Sequence, residues 1–153
     1  MADQLEDPRV EGWGVLLEAQ VAVNRAPAAD IEREMSWPMS WFEVLLRLAR
    51  SPERRMRMSD LAGAVSFSTG GFTRLADRIE QAGLARRETC ASDRRSSFVV
   101  LTDRGLTEIR RAAELHARGL QRHYYGVLNP EQTAVVDQAM RQVRAADDAS
   151  PSR

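Results

Sequence analysis

A mainly α-helical fold with one small β-hairpin is predicted by three features of this 153-residue chain. Amphipathic helical segments stand at both ends. Between them, from Ser59 to Gly105, come two short helices joined by a turn. The second carries Phe72, Leu75, Ala76 and Ile79 at the spacing of one helical face. Two short strands then frame a charged tip, Ala91-Ser92-Asp93-Arg94-Arg95-Ser96. The arrangement is a winged helix-turn-helix inserted between terminal helices.

The first helix runs from Pro8 to Arg25, with Trp13, Leu16, Leu17, Val21 and Asn24 on one face and Pro27 just past its end. A second helix opens on Ser40 and Glu43 in capping-box spacing. Trp41, Phe42, Val44, Leu45, Leu46, Leu48 and Ala49 make it apolar nearly all round, the pattern of a buried helix. Arg54 to Met58 is a short extended segment able to add a third strand to the hairpin. Ser59 caps a brief helix holding Leu61, Ala62 and Val65. The turn Ser66-Phe67-Ser68 leads into the next helix, which Ser68 caps and Gly83 ends. Leu84 to Thr89 and Ser97 to Leu101 are the hairpin strands. Thr102 caps a long helix through Ile109, Ala112, Ala113, His116, Leu120 and Tyr124. The last helix starts at Asn129-Pro130-Glu131-Gln132, with Asn at the cap, Pro at the first helical position and Gln at the box position. Val135, Val136, Ala139, Met140 and Val143 form its stripe. Residues 147–153 read as a polar tail.

This length fits a single domain over 1–153, leaving no room for a separate catalytic domain. Within it, 8–50 and 102–146 are mainly dimerisation helices and 54–101 the winged helix-turn-helix. Composition is globular, at 43% hydrophobic and 29% charged. No apolar run is long enough for a bilayer and no basic-then-apolar leader is present, so a cytoplasmic location is expected. The one cysteine, Cys90, excludes an internal disulfide and suits a reducing compartment. Net charge is zero but unevenly spread. Residues 1–49 carry four Arg against nine acids, a net of −5, and 50–104 carry eleven against seven, a net of +4. The positive excess sits on the helix-turn-helix.

A helix that buries one side and offers hydroxyl and guanidinium groups on the other is shaped for a DNA major groove. Here that face holds Thr69, Gly70, Thr73, Arg74, Asp77 and Arg78, and the candidate DNA contacts are Ser68, Thr69, Gly71, Thr73, Arg74 and Arg78. An Arg-tipped hairpin beside it, with Arg94 and Arg95, can reach backbone or minor groove. Double-stranded DNA is the partner these residues point to. Gly70-Gly71 costs about 1 kcal/mol per residue relative to Ala inside a helix. Two readings are open: the bare backbone approaches phosphates, or it packs on the preceding helix near Gly63. Arg86 and Arg87 are equally suited to phosphate contact or to surface ion pairs. His116 and His123 lie on one helix with no compact His/Cys/acid cluster, which favours packing or surface roles and no metal. Cys90 reads as a small hydrophobe. No nucleophile–base pair, metal cluster or phosphate loop is present, so neither an enzyme nor a cofactor is expected.

Taken in order and spacing, these residues resemble the MarR (multiple antibiotic resistance regulator) family of bacterial transcription factors. The pieces are Met58-Ser59-Asp60-Leu61-Ala62, Ser68 to Glu80, Gly83-Leu84, Arg87, Asp93-Arg94-Arg95 and Leu101-Thr102-Asp103-Arg104-Gly105. The resemblance implies an obligate homodimer on a pseudo-palindromic operator, acting as a repressor. The family's D-x-R wing motif falls on Asp93, which shapes the wing, and Arg95, the residue expected at the minor groove. It also implies a pocket for a small effector. Trp13, Trp41 and Phe42 are its candidate lining, and an aromatic, phenolic or anionic ligand its occupant. Members that sense peroxide use a Cys in the first helix; this chain has none there. Certain urate-sensing members place a Trp where Trp13 stands. The alternative reading is a winged-helix module that binds proteins and not DNA. A positive face at Thr73, Arg74, Arg78 and Arg95 supports the first, an exposed apolar patch there the second.

Overall fold

The computed structural model describes residues 6–65, 69–89 and 97–148. The element order is α1 (Pro8–Met35), α2 (Met39–Arg50), β1 (Arg55–Arg57), α3 (Met58–Ala64), α4 (Thr69–Gln81), β2 (Ala85–Thr89), β3 (Ser97–Leu101), α5 (Asp103–Leu120) and α6 (Pro130–Asp148). The fold class matches the sequence reading: mainly helical, with one small antiparallel sheet. The strand order is β1-β3-β2, so Arg55–Arg57 does add a third strand. Met56 lies opposite Val99 and Arg87 opposite the same residue from the other side. Turn residues Ser66 to Ser68, Cys90 and the wing tip at 91–96 lie outside the described residues.

The chain forms two compact units, Met1–Ala26 with Arg118–Arg153, and Pro27–Ala117. Helix α2 and residues 103–117 of α5 therefore pack in the unit of the helix-turn-helix. That unit holds the core: Ile31, Phe42, Leu45, Leu48, Leu61, Phe72, Ile79, Leu84, Val99, Leu101, Ile109 and Ala112 are all buried together. In the first unit, by contrast, Trp13, Leu16, Leu17, Val21, Val135 and Val143 are exposed. A five-residue π-helical stretch, Gln121–Tyr125, follows α5.

Four local expectations are corrected. Helix α1 does not stop before Pro27 but runs on to Met35 with Pro27 inside it. Proline removes one helical hydrogen bond; here Pro27 is itself buried, and Ile31 one turn later is wholly so, which offsets that loss. Ser40 and Glu43 form no capping box, because α2 begins a residue earlier, at Met39. Pro38, at φ −69° and ψ 151°, is the cap, and its carbonyl accepts from the Trp41 N–H at 2.9 Å. Ser59 does not cap α3. Strand β1 runs straight into that helix, leaving Arg57 at the cap and Ser59 donating to the Asp60 carboxylate at 3.0 Å. Helix α6 continues to Asp148, past the expected start of the tail; residues 149–153 lie outside the described residues.

Other termini form as read. Asn129 and Gln132 make a reciprocal box, each side chain accepting the other's backbone N–H at 2.9 and 3.0 Å. Gly83 takes φ 72°, a left-handed conformation that costs a glycine little. Its N–H donates to Glu80 at 2.8 Å and that of Leu84 to Ile79 at 3.2 Å, the paired bonds of a Schellman ending. Among the described residues no helix is long and apolar enough to cross a membrane.

Candidate nucleic-acid interface

Helix α4 has the two faces its sequence encodes. Phe72, Leu75, Ala76 and Ile79 are buried in the core, while Gly70, Gly71, Thr73, Arg74 and Arg78 are exposed. None of the large exposed hydrophobic side chains lies on α4. Its polar face is therefore cationic and hydrophilic.

The charge balance on this face is set from the neighbouring strand. Arg87 of β2 reaches back to α4, donating to Asp77 at 2.5 Å and to the Thr73 carbonyl at 3.2 Å. Its backbone N–H donates to Glu80 at 2.8 Å. Both carboxylates of α4 are thus occupied by one arginine. Arg74 and Arg78 make no ion pair or hydrogen bond among the described residues, so their charge is available to an external partner. Of the two roles read for Arg86 and Arg87, both take the ion pair, Arg86 with Glu88 at 2.6 Å. The Arg87 anchor was missed in the sequence. Its signal is there, in acids at i and i+3 on α4 facing an arginine on the next strand.

Gly70 resolves half of the glycine question. A Cβ there would meet nothing within 4 Å, and the same is true at Gly63. Among the described residues, close packing of these two glycines against each other is excluded, leaving open space at Gly70.

The junction after the hairpin fixes α4 and β2 relative to α5. The Thr102 hydroxyl lies 2.8 Å from the Gly83 carbonyl and accepts the Gly105 N–H at 2.9 Å, capping α5. The Thr102 N–H donates to the Leu84 carbonyl at 3.0 Å. Gly105 backs directly onto that same carbonyl, with no space for any side chain. The run Leu101 to Gly105 is therefore a brace.

Of the other candidates, Ser68, Asp93, Arg94 and Arg95 lie outside the described residues, as does the Thr69 side chain. Trp13 belongs to the first unit and is 59% exposed; Trp41 and Phe42 belong to the second. Trp41 is half-buried, 6.0 Å from Trp37 between ring centroids, and Phe42 is buried in the core. Phe42 stacks on His116 at 4.6 Å and 23°. Burial holds the His116 imidazole below its ordinary pKa. Its Nε2 is buried without a hydrogen-bond partner among the described residues. Among the described residues no group of three or more His, Cys, Asp or Glu could hold a metal.

The sequence pattern of the MarR family matches residues 35–96. The chain is 36% identical over 76 residues to the HTH-type transcriptional regulator PecS of Dickeya dadantii, covering 49% of this chain and 46% of PecS. It thus matches about half the length of that relative. Similarity to solved structures spans nearly the whole chain. AbsC, a MarR family transcriptional regulator from Streptomyces coelicolor, is 33% identical with a TM-score of 0.80, over 97% of this chain and all of AbsC. Sco3205, a MarR family regulator from the same organism solved in complex with DNA, is 30% identical with a TM-score of 0.82, over 99% of this chain and 94% of Sco3205.

Proposed function

The chain belongs to the MarR family of transcriptional regulators, and from that premise we propose that it is a DNA-binding repressor, acting as a homodimer with α4 in the major groove. The observation that carries this reading is the charge on α4: Arg87 occupies Asp77 and Glu80, leaving Arg74 and Arg78 as cations beside Thr73. The structure of Sco3205 with DNA supports the same use of the fold. In this reading Arg95 enters the minor groove, Asp93 shapes the wing, and Ser68, Thr69, Gly71 and Arg94 complete the interface. Selection of genomic fragments by the purified protein tests it. A shared pseudo-palindrome is expected, with half-sites about one turn of B-DNA, roughly 34 Å, apart. Recovery of random fragments would defeat the reading.

The homodimer is supported by the first unit. Its exposed apolar side chains and an apolar cleft of about 490 Å³ lined by Leu16, Val135 and Ala139 need a cover. Obligate dimers bury more than about 2,000 Å² in total. A monomer in sedimentation at micromolar concentration would exclude this. We further propose release from DNA by a small aromatic or anionic ligand, with Trp41 and Phe42 as the contacting aromatics in the second unit. Such coupling is worth about 1–3 kcal/mol, and operator DNA must then weaken ligand binding by the same factor. A ligand that leaves operator affinity unchanged at saturation is not the effector.

A further inference from the structure

Helix α4 ends its polar face at Arg78, and that arginine is not simply solvated. Its guanidinium carbon lies 5.7 Å from the ring centre of Trp41 on α2. This is within the range at which a cation is attracted to the negative face of an indole. Trp41 is itself held. It sits next to Phe42, which is buried in the core, and packs at a tilt against Trp37, 7% exposed. No ion pair or hydrogen bond among the described residues competes for Arg78. Among the described residues, the indole is the one aromatic ring placed against it.

We propose that Trp41 is a positioning residue for Arg78, holding its guanidinium over a fixed platform so that it meets the DNA backbone already ordered. An arginine free in water loses side-chain entropy when it docks on a phosphate. An arginine laid on an indole has given up part of that freedom beforehand. At 5.7 Å the cation is attracted to the ring without spending a hydrogen bond on it, so its N–H groups remain available to phosphate. Arg74, one turn earlier, has no such platform among the described residues. The two arginines are therefore unequal: Arg78 is preset and Arg74 is adaptable.

The inference rests on α4 facing DNA, and the test separates the two. In the free protein, the Arg78 side-chain NMR signals should carry an upfield ring-current shift that Trp41→Leu removes and Trp41→Phe reduces. No change with Trp41→Leu would overturn the contact. Duplex DNA recovered by genomic selection with the wild-type protein is then titrated with Trp41→Leu, Arg78→Gln and the double variant. Trp41→Leu should weaken binding about two- to five-fold per protomer, the equivalent of one exposed cation–π contact. It should have no further effect in the Arg78→Gln background, and Trp41→Phe should recover part of the loss. Equal loss in both backgrounds means that Trp41 acts only through packing. Tighter binding by Trp41→Leu means that the indole sequesters Arg78. Either result overturns the proposal while leaving DNA binding intact; failure of every form to bind duplex DNA defeats the reading beneath it.

Discussion

The guanidinium of Arg87 on β2 meets the carboxylate of Asp77 on α4, joining the hairpin to the helix that faces outward beside it. The same guanidinium donates to the Thr73 carbonyl and lies 3.8 Å from the Glu80 carboxylate, which also accepts the Arg87 backbone N–H, so one residue sets both the seat and the net charge of α4. Arg87→Ala is expected to lower DNA affinity although Arg87 need not touch DNA, because two carboxylates then face the phosphates unneutralised. The stability cost should be near 1 kcal/mol, since both partners are partly exposed. Adding Asp77→Asn and Glu80→Gln to Arg87→Ala should restore affinity without restoring the urea midpoint. If affinity stays low in the triple variant, charge is not what Arg87 controls.

The brace at Thr102 makes a sharper prediction for stability. At Gly105 a Cβ would stand 2.0 Å from the Leu84 carbonyl oxygen and 2.8 Å from a Leu101 methyl. The oxygen belongs to backbone held by the Thr102 N–H and cannot step aside. Gly105→Ala should therefore cost about 3 kcal/mol, at the upper end for overpacking. Urea or thermal denaturation measures it, and a loss below 1 kcal/mol, about the alanine helix gain in reverse, would show that the brace yields.

Periodicity made the architecture legible before any coordinates. The stripe Phe72, Leu75, Ala76, Ile79 is the buried face of α4, and the Asn129–Gln132 box forms as spelled. Helix starts were less legible where two local signals compete. Pro38 displaced the Ser40–Glu43 box, and a strand running directly into α3 left Ser59 nothing to cap. The end of α1 was misread because the burial of Pro27 and Ile31 is a tertiary effect that no local rule contains. At the interface, the exposed residues of α4 followed from helical spacing alone. The Arg87 anchor did not, although its acids and its arginine lie on consecutive elements, because helical spacing does not say which way a neighbouring strand points; the Trp41–Arg78 contact did not, since it joins elements far apart in sequence.

His116 gives a pH dependence whose direction is fixed by its surroundings. Burial disfavours the charged ring in the fold, so the unfolded chain takes up its proton first as pH falls below the ordinary value of 6.5. The neutral ring thus adds stability above that pH, lost as pH falls through its lower folded value. His116→Phe keeps a ring against Phe42 and removes a buried nitrogen that lacks a partner. The variant should melt at least as high as the wild type at neutral pH and lose less on acidification to about pH 5.5. Parallel melting curves against pH for the two proteins would exclude His116 as the source.

Gly70 separates function from folding most cleanly. It sits in the first turn of α4, exposed, and a methyl group there meets nothing within 4 Å among the described residues. Alanine should therefore stabilise the fold by about 0.5–1 kcal/mol through helix propensity alone. If the bare backbone is there to let phosphate or a base edge come close, the same methyl lies where DNA must be. Gly70→Ala is thus expected to melt higher and bind operator DNA more weakly, by ten-fold or about 1.4 kcal/mol for one lost close contact. Gly63→Ala, equally open but off the reading helix, should raise the melting temperature without weakening DNA binding. A Gly70→Ala variant that binds as tightly as the wild type would mean that α4 does not enter the groove by its first turn.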